Sequence, residues 1–184
     1  MELKADKAHR VVVGMGSPHG DDRLGWMVLE YAQRLFTESS QQQLHPQPQA
    51  SVQFIYSDRS VFDWIAQIRS NTVACFFVDA VLSGAAVGTL HCLDLQRELP
   101  GLGLGLTGPA FTGFSSHGFS LFDAVTMARA LGRLPPKNKV LGIELGQWQA
   151  GQSPGPTVLR SIPSCAALLC RELQACENNN AITN

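Results

Sequence analysis

Net charge is almost absent from this chain. Fourteen Lys and Arg against 15 Asp and Glu leave −1 over 184 residues, so no general field draws it to nucleic acid or anionic lipid. No apolar run approaches the roughly 20 residues that span a bilayer. The opening Met1-Glu2-Leu3-Lys4-Ala5-Asp6-Lys7 is charged and is not expected to be a signal peptide. Together these point to the cytoplasm and away from a membrane or nucleic-acid partner. The five cysteines, Cys75, Cys92, Cys165, Cys170 and Cys176, are odd in number and contain no Cys-x-x-Cys pair. That fits reduced thiols better than a disulfide framework or a thiolate zinc site. Three of them fall on an expected C-terminal helix, where cysteine acts as a small hydrophobe. His-Glu-x-x-His is missing as well.

What the chain does contain is 45% hydrophobic and 16% charged residues. At this length that makes one globular domain, residues 1–184, able to bury about two-thirds of its unfolded surface. Residues 178–184 are expected to form a frayed tail. No internal repeat and no second domain is evident.

The most informative stretch is Val11-Val12-Val13-Gly14-Met15-Gly16-Ser17-Pro18-His19-Gly20-Asp21-Asp22. A β-branched run ends in a glycine-rich turn, as in a phosphate-binding loop. Asp21 and Asp22, however, stand where a pyrophosphate would need positive charge, and the glycines continue to Gly20 and Gly25 instead of completing Gly-x-Gly-x-x-Gly. Aspartates at a strand end are hard oxygen ligands that suit a cation, or a metal carried on a partner. The same two residues also suit the cap and first turn of a helix.

Periodicity predicts strands at His9–Gly14, Val52–Tyr56, Thr72–Val81, Val87–Leu93 and Lys139–Leu145, with helices at Leu24–Phe36, Val61–Ile68, Phe119–Leu131 and Pro156–Cys176. The last helix is expected to be interrupted near Pro163. Glu38–Gln49 reads as a polar loop. Ser83-Gly84-Ala85-Ala86 reads as the turn of an antiparallel hairpin between the third and fourth strands. Pro100–Gly113 is rich in glycine and aperiodic, as mobile loops are, and is expected to wall the binding cleft. The run Val73-Ala74-Cys75-Phe76-Phe77-Val78 is apolar on both faces, as a central parallel strand must be. Alternating strands and helices give an α/β fold, a three-layer α/β/α sandwich with a mostly parallel sheet of about five strands and an antiparallel edge strand. Ligands of such sheets bind beyond the carboxyl ends of the strands. Asp22 follows the first strand and Asp79 ends the central one, so both can face one crevice.

His117, in Phe114-Ser115-Ser116-His117-Gly118-Phe119, stands just before a helix and adds a third polar residue. Five ordered blocks, spanning Val11 to about Ile162, now resemble the hydrogenase maturation protease family, endopeptidases that trim the C-terminus of [NiFe]-hydrogenase large subunits. They are Gly14-Met15-Gly16 through Asp21-Asp22 with Gly25; Val78-Asp79-Ala80-Val81 followed by Gly84 and Gly88-Thr89; Ser116-His117-Gly118 followed by Leu121; Leu131-Gly132-Arg133-Leu134-Pro135; and Gly142-Ile143-Glu144. The resemblance implies that Asp22, Asp79 and His117 contact nickel and form the catalytic site. Nickel would arrive within the large-subunit precursor and not as a tightly bound cofactor of the protease, which would act as a monomer. Three protein ligands leave coordination positions for substrate groups or water, so the protease can read whether nickel has been inserted before it cuts. Ser17 stands where the family usually has Asn, and a hydroxyl cannot reproduce both the donor and the acceptor of an amide.

Two further residues are candidate substrate contacts. His19 precedes Asp22 by three residues and either approaches the metal or is a solvent-facing loop histidine. Glu144 ends the fifth strand and makes either a substrate contact or a structural hydrogen bond. His91, beside Cys92, is read as a strand residue on one sheet face, and Trp26, Trp64 and Phe122 as core residues on helices. Three other readings compete. A serine hydrolase would use Ser116, His117 and Asp79, but adjacent side chains diverge and no Gly-x-Ser-x-Gly elbow is expected. A cysteine protease lacks an activated thiol. A non-catalytic, nickel-dependent assembly factor or chaperone of the same fold is the strongest alternative to the endopeptidase.

Overall fold

The structure, a computed structural model, describes residues 8–16, 23–41, 51–58, 61–98, 121–145 and 153–180. In chain order the elements are β1 (His9–Met15), α1 (Leu24–Gln41), β2 (Ser51–Ser57), α2 (Val61–Ile65), β3 (Thr72–Val81), β4 (Leu90–Asp94), α3 (Leu95–Glu98), α4 (Leu121–Ala130), β5 (Lys137–Glu144) and α5 (Pro156–Asn180). The five strands form one sheet in the order β2-β1-β3-β5-β4, with β1, β2, β3 and β5 parallel and β4 antiparallel to β5.

Each face carries its own core. On one, Val12, Ala74, Phe76, Val78, Leu141 and Ile143 of the strands pack against Leu24, Val28, Leu29 and Ala32 of α1 and the apolar stripe of α5. On the other, Val11, Val13, Cys75, Phe77 and Val140 pack against Trp64 of α2 and Ala124, Val125 and Ala128 of α4. This is the three-layer sandwich that the alternation of elements predicts. None of the described helices is long and apolar enough to cross a membrane.

The structure corrects several boundaries and one pairing. The segment after β3 does not return as a hairpin partner. β5 lies between β3 and β4, so β4 pairs with β5 alone. Both faces of β5 are buried from Val140 to Ile143, which requires an interior position, whereas β4 leaves Cys92 exposed and tolerates an edge. α1 continues to Gln41, so Glu38–Gln41, expected in a loop, is helical. α4 begins at Leu121 and ends at Ala130, inside its expected bounds, and β5 begins two residues early, at Lys137. α3 lies in a segment to which no element was assigned.

α5 runs without a break through Pro163 to Asn180, three residues into the segment expected to fray. A proline inside a helix costs about 3 kcal/mol. Val158, Ile162, Leu169 and Leu173 are all buried against the sheet side, each stabilising by about 1.5–3 kcal/mol, so the stripe outweighs the proline. Pro163 itself is exposed, which leaves the carbonyl it orphans on the solvent side.

The carboxyl end of the sheet is set by a close approach. A Cβ on Gly25, in the first turn of α1, would lie 2.3 Å from the Met15 carbonyl oxygen and 2.6 Å from that of Val78. Only glycine lets the helix start rest on the ends of β1 and β3. Gly25→Ala forces backbone against backbone and should destabilise the fold by about 1–3 kcal/mol or more. Urea unfolding of the two proteins checks this, and equal midpoints would show that α1 is not seated as described.

Candidate functional site

Asp79 is the eighth residue of the ten-residue β3 and Glu144 the last of β5, so the sheet carries both carboxylates to its carboxyl end. In the register Asp79 pairs with Gly142, and Val81 with Glu144. Asp79 is half-buried, and its Oδ1 accepts the Ala80 N–H at 2.8 Å. The first turn of α1 rests on the carbonyl of the preceding residue, Val78. Asp22, His19 and His117, like Ser17, Ser116 and the Pro100–Gly113 segment, lie outside the described residues. Arg23, next in sequence to Asp22, is exposed and pairs with Glu30 at 3.1 Å. Among the described residues no three His, Cys, Asp or Glu side chains gather into a metal site.

Glu144 shows the structural one of its two readings. The residue is 1% exposed, and donors from three directions surround its carboxylate. Oε1 accepts the Ser83 N–H at 2.7 Å and the Gly84 N–H at 2.9 Å; Oε2 accepts the Ser83 hydroxyl at 2.7 Å and His91 Nε2 at 2.9 Å. Its backbone is tied too, since Gly88 N–H donates to the Glu144 carbonyl and Glu144 N–H to that of Thr89. Burial pushes the carboxyl up, but the hydrogen bonds from Ser83, Gly84 and His91 outweigh it and hold its pKa below the ordinary value. The connection from β3 to β4 is thereby fixed to the end of β5. Gly88 completes it: at φ +84°, with Ser161 Oγ 2.8 Å from where a Cβ would sit, it accepts a hydrogen bond from that hydroxyl and ties the turn to α5.

Ser83 and His91 were not singled out as partners of Glu144 in the sequence. The signal was available in part, because a glutamate ending an apolar strand needs donors and a short turn of small residues such as Ser83-Gly84 offers free N–H groups. Trp64 is fully buried as expected and packs edge-on against Phe77, with ring centroids 4.9 Å apart. Trp26 is half-buried, and its indole N–H donates to the Ser57 carbonyl at 3.4 Å.

Burial raises the Cys75 pKa well above that of a free thiol and pushes Cys165 up to about 12; Cys92, Cys170 and Cys176 are raised as well. None is an activated thiolate, which removes the support for a cysteine protease. Against the expectation that the chain has no Gly-x-Ser-x-Gly, Gly151-Gln152-Ser153-Pro154-Gly155 carries the letters of a nucleophile elbow. Pro154 has no N–H, however, so it cannot supply the oxyanion donor that the residue after the nucleophile provides in such an elbow.

No protein-family model and no curated protein matches the sequence. Solved structures do match it, across nearly the whole chain. The hydrogenase maturating endopeptidase HybD from Escherichia coli superposes with a TM-score of 0.66 at 20% identity, covering 91% of this chain and 93% of that one. The [NiFe] hydrogenase maturation protease HycI from Thermococcus kodakarensis gives 0.57 at 20% identity, covering 91% and 94%. HybD from Thermococcus kodakarensis gives 0.56 at 13% identity, covering 90% and 99%. At these identities the likeness is one of fold: the chain is built on the fold that these endopeptidases share.

Glu144 makes the stability of this end of the sheet depend on pH. Because its folded pKa lies below the ordinary 4.5, its contribution is complete above that value and is lost as pH falls through the lower, folded value. Glu144→Gln should lower stability at pH 7 by about 2 kcal/mol, the scale of hydrogen bonds to a charged group. The difference from the parental protein should shrink as the solution is acidified below pH 4.5. Denaturant unfolding of both proteins from neutral to acid pH measures it, and a gap that does not depend on pH would contradict an ionised Glu144.

Proposed function

We propose that the chain is an endopeptidase that removes a C-terminal extension from a [NiFe]-hydrogenase large-subunit precursor after nickel has been inserted. The observation that carries this reading is the placement of Asp79. On the fold of the maturation endopeptidases, a half-buried carboxylate stands near the carboxyl end of the central strand, one residue after the Val78 carbonyl on which the first turn of α1 rests. Asp22 stands two residues before α1 in sequence, and His117 four residues before α4. Two carboxylates and an imidazole are acceptable donors for a divalent first-row metal, and three ligands leave positions for groups of the precursor itself.

In this reading nickel belongs to the substrate. Asp22, Asp79 and His117 recognise the loaded centre, and the peptide to be cut is presented beside it. A precursor without metal lacks the group that these side chains bind, so insertion and cleavage occur in order. His19 is a further contact to the precursor in this reading. The buried carboxylate of Glu144 acts on the site only through the turn and the histidine it holds. The enzyme works as a monomer in the cytoplasm.

Incubation with candidate large-subunit precursors, with and without nickel, should give a C-terminal mass loss only for the nickel-loaded form. Asp79→Asn and His117→Ala should fold normally and cut at less than about one-hundredth of the parental rate, the scale of misplacing a reacting group. Asp22→Asn should be similarly impaired and also about 0.3–1 kcal/mol less stable, because it removes a charge from a helix N-terminus. Mass spectrometry and thermal unfolding on the same preparations test all three. Parental rates in all three would overturn the assignment of these residues, and tight binding of the loaded precursor without cleavage would favour the assembly-factor reading.

A further inference from the structure

On the sheet face covered by α2 and α4, the strands line up row by row toward their carboxyl ends. Phe77 of β3 pairs with Val140 of β5, which pairs with Leu93 of β4, and all three lie in the apolar packing of that face. Side chains return to the same face every second residue. The next row outward is therefore Asp79, Gly142 and His91, which pair in the same way. Here the face changes from apolar to polar. Gly142 contributes no side chain, and Val81 closes the floor, its Cγ2 being 2.2 Å from where a Cβ of Gly142 would lie. Asp79 and His91 flank this floor, their backbones roughly 10 Å apart across two strand spacings.

The His91 imidazole is held by the buried Glu144 carboxylate. Its side chain is 21% exposed, whereas that of Glu144, 2.9 Å from its Nε2, is 1% exposed. An ionised carboxylate only accepts hydrogen bonds, so Nε2 carries a proton, and in the neutral form of the ring the lone pair is on Nδ1. No described group bonds Nδ1. Ser83 and Gly84 fix the carboxylate in turn, which leaves the imidazole one orientation. The titratable groups that face it among the described residues are Glu144 and, across the floor, Asp79; Cys92 belongs to the opposite face of β4.

We propose that His91 is the proton acceptor of the peptide cleavage and that Glu144 is its positioning residue. This inference rests on the endopeptidase reading above. Water attacks the scissile carbonyl carbon, and as the C–O bond forms its proton passes to His91 Nδ1. Glu144 offsets the imidazolium charge. The C–N bond then breaks with its electron pair on nitrogen, and the proton moves from Nδ1 to that nitrogen. An acid and an amine leave, the ring is neutral again, and water is the only co-reactant.

The test is the pH dependence of cleavage of a nickel-loaded precursor by the parental protein, His91→Gln, His91→Ala and Glu144→Gln, with thermal unfolding of each preparation. The parental rate should rise with pH as the imidazole loses its proton. His91→Gln should lower kcat by about 10²–10⁴-fold with KM little changed, and should abolish that rise. Glu144→Gln should move it to lower pH, because the imidazolium loses its counter-charge. Free imidazole should partly restore His91→Ala. A parental protein that cuts while His91→Gln matches it in rate and pH profile overturns the inference and leaves the endopeptidase reading standing. A parental protein that cuts no loaded precursor overturns that reading, and the inference falls with it.

Discussion

Covering a parallel sheet on both faces confines its chemistry to the strand ends. Along β1, β3 and β5 nearly every side chain is buried under a helix layer, and an unpaired charge there would cost more than the fold could offset. The carboxylates therefore sit where the layers stop. Asp79 and Glu144 both occupy the last turns of chain before a strand leaves the sheet. The same constraint explains why β1 ends in glycines and why α1 can begin directly on the strand ends. With Gly25 in its first turn, the helix comes within contact of the Met15 and Val78 carbonyls.

The second organising element is the Glu144 carboxylate. A single buried charge is costly unless donors surround it, and Ser83, Gly84 and His91 supply them from two other parts of the chain. The result is a rigid link among the end of β5, the β3–β4 connection and the edge strand. Ser161 extends it to α5 through Gly88. A site built beside Asp79 thus has one wall fixed by hydrogen bonds, and the orientation of His91 follows from the same carboxylate.

Fold and function stand on different evidence. The likeness to maturation endopeptidases covers about nine-tenths of the chain and is one of fold. Activity depends on side chains whose chemistry a fold does not dictate. The ordered motif blocks connect the two, because their glycines coincide with the close contacts at Gly25, Gly88 and Gly142. In the proposed reading, Asp22, Asp79 and His117 offer donor types that suit a substrate-borne divalent metal.

The local pattern of the sequence was enough for the apolar strands, the amphipathic helices, the layered α/β class and the placing of Asp79 at a strand end, since periodicity and strand length are properties of the chain taken a few residues at a time. Strand order was not of that kind. Whether residues 87–93 return to β3 or stand beyond β5 depends on which strand has two faces to bury, and that comparison exists only once all strands compete for the sheet centre. Pro163 belongs with it: a local rule breaks the helix there, and the burial of Val158, Ile162, Leu169 and Leu173 overrides the rule. For Glu144 the sequence supplied a carboxylate with two possible uses. Only the meeting of β5, the Ser83–Gly84 turn and His91, separated by more than 50 residues in the chain, decided that its oxygens are filled from within, because hydrogen-bond partners that distant are brought together by packing and not by any local preference.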